Sequence, residues 1–247
     1  MTYKIAELPG DGVGIEVVDA AKMILDEVGF KADYIQGDIG WEFWKKEGNA
    51  LPERTIELLK RTDCALFGAI TSKPKDEAAK ELDPSIRDKG YVYFSPIVGM
   101  RQLFQLHTNM RPCKAFEGNP LNIKEKVDIV VFRENTEGLY AGIEWWPVPE
   151  EVREVFLKNH KKWEKFHSFP ADDVAVTLRV ITRRGAERIL RSGFEHAKNQ
   201  GRKRLTLAEK PNVLRETSGL MTQVARKMAG DYPMVNMDEA NIDAMAM

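Results

Sequence analysis

The chain has 247 residues, of which 43% are hydrophobic and 30% are charged, and its formal net charge is −1. A near-neutral chain lacks the basic excess of a general nucleic-acid-binding protein, and no apolar run reaches the roughly 18 residues of a membrane span. The N-terminus has no signal-peptide core, and the two cysteines, Cys64 and Cys113, do not make a disulfide framework. We therefore expect a globular protein of the cytoplasm.

The N-terminal segment is predicted to form a strand over residues 4–8, a glycine-rich turn over 9–14 and a helix over about 15–28. A helix N-terminus presents free N–H groups and favours an anion or nucleotide site. The dinucleotide fingerprint G-x-G-x-x-G is not met, because Gly14 comes one position early. A tight turn without a ligand is the alternative. The predicted buried face of the helix consists of Val17, Val18, Ala21, Ile24, Leu25 and Val28.

Strands and helices continue to alternate over the next sixty residues. Strands are predicted over 32–35 and 64–70 and helices over 41–46 and 52–61, a pattern that indicates an α/β fold with a parallel sheet. Ligands bind such sheets at the carboxyl ends of the strands, where Thr71 and Ser72 fall. The charged segment that follows, residues 73–89, is expected to be a solvent-exposed loop.

The stretch with most chemistry begins with the apolar run 129–132, which predicts a buried strand. Arg133 ends that strand, and Tyr140 follows seven residues later, after a turn that contains Gly138. The two side chains can therefore face one cleft, where the guanidinium would bind a carboxylate and the phenol would pass a proton. An ordinary ion pair and a half-buried tyrosine are the alternative.

Two more arginines lie at the ends of predicted elements. Ser95, Arg101 and Arg111 flank a predicted helix over 98–104 and the strand after it. With Arg133 they make three arginines, which would suit a substrate with several carboxylates. Each arginine taken singly is more often a surface residue.

The middle of the second half is predicted to hold two strands, over 141–146 and 174–181, with a helical insert at 150–166 between them. Trp145 and Trp146 would place one indole on each face of a strand, which favours a partner interface or, equally, packing beneath the insert. The insert carries the chain's His160 and His167, which we interpret as solvated rather than as metal ligands.

The last third is predicted to contain a helix over 183–199, a strand over 204–208, a helix over 213–229 and a strand from residue 234. Pro211 ends the strand pairing and holds Lys210 at a defined strand end. A lysine acts as a base only where cations or a metal lower its pKa from about 10.4, and otherwise it is a salt-bridge partner. Asp243 opens a final helical turn. The inward side chains of the first helix are Ile189, Leu190, Phe194 and Ala197.

Together these segments resemble the β-decarboxylating dehydrogenases, which act on isocitrate, homoisocitrate or 3-isopropylmalate. The motifs stand in the family's order and cover essentially the whole chain. They are Leu-Pro-Gly-Asp-Gly-Val-Gly at 8–14, Ser95 with Arg101, Asn-Met-Arg-Pro at 109–112, Arg-Glu-Asn-Thr-Glu-Gly-Leu-Tyr at 133–140, Lys-Pro-Asn-Val-Leu-Arg-Glu-Thr at 210–217 and Asp-Ala-Met-Ala-Met at 243–247.

The resemblance implies an isocitrate/isopropylmalate dehydrogenase-like α/β fold of two domains. Residues 1–98 would form the first half of the large, cofactor-binding domain. Residues 99–240 would form the small domain, with a dimer clasp at about 141–181, and residues 241–247 would begin the return to the large domain. That domain is then incomplete at its C-terminus, so we expect an open sheet edge and an uncovered apolar face.

The resemblance also implies oxidation of a 2-hydroxy acid followed by loss of a carboxylate, with NAD or NADP and with Mg²⁺ or Mn²⁺. Ser95, Arg101, Arg111 and Arg133 would bind the substrate, and Asp243 would bind the metal. Lys210 would accept the hydroxyl proton, and Tyr140 would protonate the enol. The implied cofactor-binding residues are Thr71, Ser72, Val13 and Asn212.

Ser95 favours isocitrate as the polycarboxylate substrate, because its hydroxyl would bind the distal carboxylate. Ile97 stands where isocitrate enzymes usually carry asparagine, which keeps homoisocitrate and 3-isopropylmalate as alternatives. The resemblance implies a homodimer with shared active sites, in which Lys210 and Asp243 enter the neighbouring subunit's site. A split enzyme completed by a second chain, or a catalytically silent subunit that regulates an intact partner in a hetero-oligomer, are the alternatives.

Overall fold

The computed structural model describes residues 2–247, which form two compact units. The first unit runs to Leu103 and the second from Phe104 to Met247. Helices and strands alternate in both, so the predicted α/β class is confirmed. Among residues 2–247, none of the helices has both the length and the apolar character needed to cross a membrane. The assignment of residues 1–98, 99–240 and 241–247 to large and small domains stays a prediction.

The first unit is built on a three-stranded parallel sheet of order β2–β1–β3, as predicted. The helices α1 to α3 lie between these strands in the sequence, and α4 and α5 follow the last strand. The elements are β1 (Tyr3–Gly10), α1 (Val13–Glu27), β2 (Ala32–Gln36), α2 (Trp41–Glu47), α3 (Glu53–Lys60), β3 (Cys64–Ala69), α4 (Lys75–Lys80) and α5 (Pro96–Leu103).

The outer face of α1 differs from the prediction. Val18 is 1% exposed, but Val17, Ile24 and Val28 are 48%, 67% and 72% exposed. The helix rests on β1 and β3 through Gly14 and Val18, and the predicted inward residues Ala21 and Leu25 are half-buried. An apolar row is therefore left uncovered on the outside of α1.

The prediction of a solvent-exposed loop over residues 73–89 is wrong. This segment contains α4, whose Ala78 is 0% exposed, and Leu82 beyond it is 1% exposed. Both pack against Trp41 and Trp44, and the Trp44 indole donates a hydrogen bond of 2.9 Å to the Ala78 carbonyl. The segment is charged because only one side of it is buried.

The second unit contains an antiparallel pair β4–β5, a short antiparallel pair β6–β7 and a parallel pair β8–β9. Helices α8 and α9 pack against each other and against β8 and β9. The elements are β4 (Thr108–Lys114), β5 (Asp128–Glu134), β6 (Glu144–Trp145), α6 (Glu150–Asn159), α7 (Glu164–His167), β7 (Val176–Thr177), α8 (Arg183–Asn199), β8 (Arg204–Glu209), α9 (Arg215–Ala229), β9 (Asn236–Asn241) and α10 (Ile242–Ala246).

The core of the second unit centres on α8. All four side chains predicted to point inward, from Ile189 to Ala197, are buried. Phe194 is 0% exposed, and its ring stacks on the ring of Tyr232 with 4.8 Å between centroids. The 3.6-residue apolar period of this helix thus identified its buried face correctly.

The strand β5 is only half buried, so the prediction of a fully buried strand is wrong. Ile129 and Val131 are 55% and 48% exposed, whereas Phe132 packs against the α8 core. Side chains alternate between the two faces of a strand, and α8 covers one face of this two-stranded pair.

The predicted strands 141–146 and 174–181 are present but much shorter, as β6 and β7. Gly142 adopts φ +68° directly after a 3₁₀ turn at Leu139–Ala141, so the chain is not extended there. Pro147 follows β6 and has no N–H for a ladder. Trp145 is half-buried, while Trp146 is 75% exposed and its indole donates to the Asp172 carbonyl at 2.8 Å. The insert is helical, as predicted.

Candidate active site

The glycine-rich turn of the first unit joins β1 to α1 at the carboxyl edge of the sheet. A Cβ atom on Gly14 would lie 2.1 Å from the Pro9 carbonyl oxygen and 2.7 Å from the Ala69 nitrogen. The missing side chain therefore lets α1 approach β1 and β3 closely. At this glycine the structure favours the tight-turn alternative over a cradle for an anion.

Asp11, which the sequence analysis did not single out, ties three loops together at this edge. Its Oδ1 accepts a hydrogen bond from the Trp41 N–H at 2.7 Å, and its Oδ2 accepts one from the Thr71 N–H at 2.9 Å. Its own N–H donates to the Ala69 carbonyl at 2.7 Å. The sequence signal that could have identified Asp11 is its position between Gly10 and Gly12 in a strand–helix turn.

The predicted cofactor residues of the first unit lie along this edge. Thr71 and Ser72 follow β3, and Val13 begins α1 with 60% of its surface exposed. The Tyr93 hydroxyl donates to the Thr71 carbonyl at 3.1 Å, and burial raises the pKa of that phenol above its usual value of 10.0. The backbone N–H and the backbone carbonyl of Thr71 are therefore both hydrogen-bonded, to Asp11 and to Tyr93 respectively.

Two predicted substrate residues, Ser95 and Arg101, also belong to the first unit. Ser95 directly precedes α5, and its carbonyl accepts the Gly99 N–H at 3.0 Å. Arg101 lies in the last turn of the same helix and is half-buried. One short helix thus presents both residues, and their roles stay a prediction.

In the second unit, the register of β4 against β5 places the other two arginines on one face of the ladder. Asn109 lies opposite Arg133, and Arg111 lies opposite Val131. Residues opposite each other or two positions apart share a face, so both guanidinium groups project to the same side. The Arg111 Nε donates to Asn109 Oδ1 at 2.9 Å, which orients the first of them.

Tyr140 lies against this face. The Arg133 Cζ atom is 4.5 Å from the centroid of the Tyr140 ring, a cation–π distance, and the tyrosine is 41% exposed. The phenol that the sequence predicted to share a cleft with an arginine therefore does lie beside it. The pair can bind a carboxylate and supply a proton within one site.

Lys210 and Asp243 form an ion pair where β8 and β9 end. The side chains of Lys210 and Asp243 are 30% and 54% exposed. Glu209 pairs with Asn241 as the last step of the parallel ladder, so the lysine and α10 leave the sheet side by side. Asn241 Oδ1 accepts the Asp243 N–H at 3.0 Å. The amine and the carboxylate predicted for base and metal ligand are thus neighbours within one chain.

Two asparagine side chains lie at the strand ends next to Asp243. Asn241 donates to Asn212 Oδ1 at 3.2 Å, which brings the predicted residue Asn212 to the same strand ends. The half-exposed Asp243 carboxylate is paired with the side chain of Lys210. A carboxylate oxygen is a donor that suits Mg²⁺ or Mn²⁺, and the assignment of Asp243 as a metal ligand stays a prediction.

Below Lys210, Glu209 anchors the end of β8 and was not predicted. Its carboxylate accepts the Ser218 hydroxyl at 2.8 Å and pairs with Arg179 at 3.2 Å. Arg179 also donates to the Thr217 hydroxyl at 2.8 Å. These contacts join the strand end to the start of α9, so Lys210 extends from a rigid base.

A second acidic group lies in the helical insert. Ligand atoms of Glu150, Glu154 and His167 fall within 4.8 Å of one another. Arg153 already lies 3.3 Å from Glu150, and His167 Nε2 lies 3.7 Å from Glu154. Charge balance within the insert accounts for this group. His160 is exposed as expected, but His167 is half-buried, so the interpretation of it as solvated needs this correction.

The chain matches a known protein family over almost its whole length. The family model described as isocitrate/isopropylmalate dehydrogenase matches residues 4–247. Homoisocitrate dehydrogenase of Methanocaldococcus jannaschii is 39% identical over 254 residues, covering 99% of this chain and 62% of that protein. Protein DlpA of Legionella pneumophila is 39% identical over 244 residues, covering 99% of this chain and 38% of that protein.

A solved structure extends the comparison to the fold. The crystal structure of isocitrate dehydrogenase from Methylococcus capsulatus is 32% identical, with a TM-score of 0.79 over 99% of this chain and 62% of that one. The chain thus spans less than two thirds of the length of each of these relatives. This agrees with the expectation that the large domain is incomplete here.

Proposed function

Because the chain belongs to the isocitrate/isopropylmalate dehydrogenase family, we propose that the protein carrying it oxidises and decarboxylates a 2-hydroxy-3-carboxy acid. The favoured substrate is isocitrate, converted to 2-oxoglutarate with reduction of NAD or NADP. Homoisocitrate and 3-isopropylmalate are the alternatives. Ser95 supports isocitrate, since a hydroxyl discriminates for a polar distal group.

The observation that carries the proposal is the pairing of Arg133 with Tyr140, with Arg111 on the same face of the ladder. Two guanidinium groups bind carboxylates bidentately and orient the substrate. Arg101 and Ser95 are proposed as further substrate-binding residues. A phenol next to a bound carboxylate can deliver a proton to the neighbouring carbon. A site that only bound carboxylates through ion pairs would not need a phenol beside the arginine.

Lys210 and Tyr140 would divide the proton transfers between them. The amine of Lys210 takes the proton of the 2-hydroxyl while the hydrogen at C2 leaves as hydride. The bond between C3 and its carboxylate then breaks, carbon dioxide leaves, and the electron pair forms an enolate. Tyr140 returns a proton to C3. A nicotinamide cofactor, when bound, accepts the hydride, and Mg²⁺ or Mn²⁺, when bound at Asp243, stabilises negative charge on the substrate oxygens.

Thr71, Ser72 and Val13 would hold the cofactor at the carboxyl edge of the first sheet. Asn212 is proposed as a further cofactor-binding residue. The rigid attachment of Thr71 by Asp11 and Tyr93 supports this part of the proposal. The backbone of Thr71 is held in place before the cofactor binds, which lowers the entropic cost of binding.

We also propose that the protein acts as a homodimer with shared active sites, the hetero-oligomer with an intact subunit being the alternative. The β6–β7 ribbon and the exposed indole of Trp146 support an interface there. The exposed free thiols of Cys64 and Cys113 support a location in the cytoplasm.

The test is the formation of reduced cofactor by the complete protein with threo-isocitrate, homoisocitrate or 3-isopropylmalate in the presence of Mn²⁺. Turnover with isocitrate as the best substrate supports the proposal. Binding of isocitrate without turnover supports the catalytically silent alternative instead. The other two substrates, if turned over faster, would replace isocitrate.

Lys210→Met tests the assigned base. Oxidation should fall by about 100- to 10,000-fold, the usual contribution of a general base, while substrate binding stays within about tenfold. Lys45→Met is the matched control, because the side chains of its pair with Glu42 are 35% and 58% exposed, close to those of Lys210 and Asp243. A fully active Lys210→Met enzyme would remove Lys210 from the mechanism.

A further inference from the structure

The turn that separates Arg133 from Tyr140 is attached to α8 by Arg188. One guanidinium nitrogen of Arg188, Nη2, lies 3.3 Å from Glu134 Oε1 and also donates to the Thr136 hydroxyl. The same Glu134 oxygen accepts the Thr136 N–H at 2.8 Å and the Glu137 N–H at 3.1 Å. The Glu134 carboxylate therefore binds the backbone of the turn, and Arg188 binds the Glu134 carboxylate.

The far side of the turn is fastened to the start of α8. Glu137 accepts the Thr182 N–H at 2.9 Å and the Thr182 hydroxyl at 2.7 Å. A Cβ atom on Gly185 would lie 2.1 Å from the Glu137 carboxylate, so the glycine makes room for this contact. The Gly138 N–H donates to the Val180 carbonyl at 2.7 Å. Glu134, Thr136 and Glu137 of the motif are thus bound to α8 and to its N-cap residue, Thr182.

The charge on Glu134 is stabilised within this cluster. Burial alone would raise the pKa of its carboxyl group, but hydrogen bonds from Thr136, the charge of Arg188 and the Glu137 N–H outweigh it and hold that pKa below its usual range. The side chains of Arg188 and Glu134 are only 22% and 14% exposed. Their attraction is therefore weakly screened by solvent.

The two ends of the turn differ in what holds them. Arg133 belongs to β5, and its backbone is paired with Asn109 of β4. Tyr140 lies outside any ladder, in a three-residue 3₁₀ turn just beyond the segment attached to α8. The position of the phenol therefore depends on the turn, whereas the position of the guanidinium depends on the sheet.

We infer that Arg188 is a positioning residue, which through Glu134 and Thr136 sets the Tyr140 ring against Arg133. This inference rests on the proposed function for its kinetic consequence alone. Loss of Arg188 should displace Tyr140 and leave Arg133 in place. The proton return to C3 then slows, whereas carboxylate binding does not.

The experiment compares Arg188→Met with Arg202→Met in the complete protein. Arg202 is the matched control, because it binds Asp128 at the opposite end of β5, with 2.7 Å to Oδ1 and 3.0 Å to the carbonyl oxygen. The first measurement is NMR of protein with ¹³C-labelled tyrosine. The chain has six tyrosines, and the Tyr140 resonance is the one lost in Tyr140→Phe. The second is steady-state turnover of isocitrate.

In Arg188→Met we expect the Tyr140 resonance to shift and its nuclear Overhauser contact with the Arg133 methylenes to disappear. The kcat should fall by about tenfold to a hundredfold, the cost of misplacing a reacting group by about an ångström, while KM for isocitrate stays within about threefold. Arg202→Met should match the wild type in both measurements. Arg188→Lys, which keeps the charge but not the fork, should show the same changes at smaller size and serves if Arg188→Met does not fold.

The inference is overturned if Arg188→Met keeps the Tyr140–Arg133 contact, or if Arg202→Met loses it equally. If Arg188→Met displaces Tyr140 but the wild-type protein has no dehydrogenase activity, the positioning role stands and the proposed function is rejected. A displaced Tyr140 with unchanged kcat would separate the phenol from the slow step and overturn the kinetic part.

Discussion

Asp11→Ala removes the carboxylate that joins the glycine turn, the start of α2 and the segment after β3. Two backbone donors, the N–H groups of Trp41 and Thr71, lose their acceptor. We expect two separate effects from this single change. The first unit should lose stability, and the bound cofactor should lose affinity, because Thr71 is no longer held.

The size of the first effect follows from the two hydrogen bonds. A bond to a charged group contributes about 1.5–3 kcal/mol, and a donor left without a partner costs a similar amount when water cannot reach it. Asp11 is half-buried, so water replaces part of what is lost. The free energy of unfolding should therefore fall by about 2–4 kcal/mol, below the sum for two fully buried bonds.

Asp63→Ala is the control, because Asp63 also accepts a backbone N–H in the first unit, that of Lys4 at 2.8 Å, but is exposed. Its loss should cost about 0.5–1.5 kcal/mol, the value of one solvent-accessible bond. Urea unfolding followed by tryptophan fluorescence measures both, since Trp41 and Trp44 lie in the affected unit. The KM for the nicotinamide cofactor should rise in Asp11→Ala and stay constant in Asp63→Ala. Equal losses of stability together with an unchanged cofactor KM would refute the reasoning.

Two further changes test the second unit. Phe194→Ala should lower the free energy of unfolding by about 3–5 kcal/mol in urea titrations, because the ring is 0% exposed. Phe166→Ala is the control, because Phe166 is 41% exposed. Similar losses at both sites would contradict the assigned core. The pKa of Glu134 lies below its unfolded value of 4.5, so its stabilisation is complete above that pH and is lost as the pH falls through the lower folded pKa. The advantage of the wild type over Glu134→Gln should accordingly shrink as the pH falls below 4.5 in urea titrations at each pH, and an advantage that grows on acidification would be the wrong sign.

The elements with a single, regular apolar period were predictable from the sequence. α8 was predicted with its observed bounds, Arg183–Asn199, because its apolar face packs against neighbours in the same unit. α1 also carries apolar residues at helical spacing, yet three of its six predicted inward residues, Val17, Ile24 and Val28, are exposed. Periodicity shows which residues can be buried, whereas burial also needs a covering surface, and the chain does not contain one for α1 among its described residues.

The proximity of chemical groups was predictable where one segment carries both. Arg133 and Tyr140 are joined by one turn. Lys210 and Asp243 are 33 residues apart and are brought together by the pairing of β8 with β9, and only the family resemblance implied that they serve one site. Arg188 was not predicted, because it meets its partners across 54 and 52 residues and is one of several arginines in a charged helix. Such long-range contacts leave no mark in a local pattern.

The apolar row on the outside of α1 governs how this chain behaves by itself in solution. Val13, Val17, Ile24 and Val28 lie at helical spacing and are 48–72% exposed. Covering four such side chains recovers on the order of 4–8 kcal/mol, as much as many domains possess in total. The isolated polypeptide should therefore bind a hydrophobic dye, self-associate as its concentration rises, and do so more strongly in sulfate than in chloride.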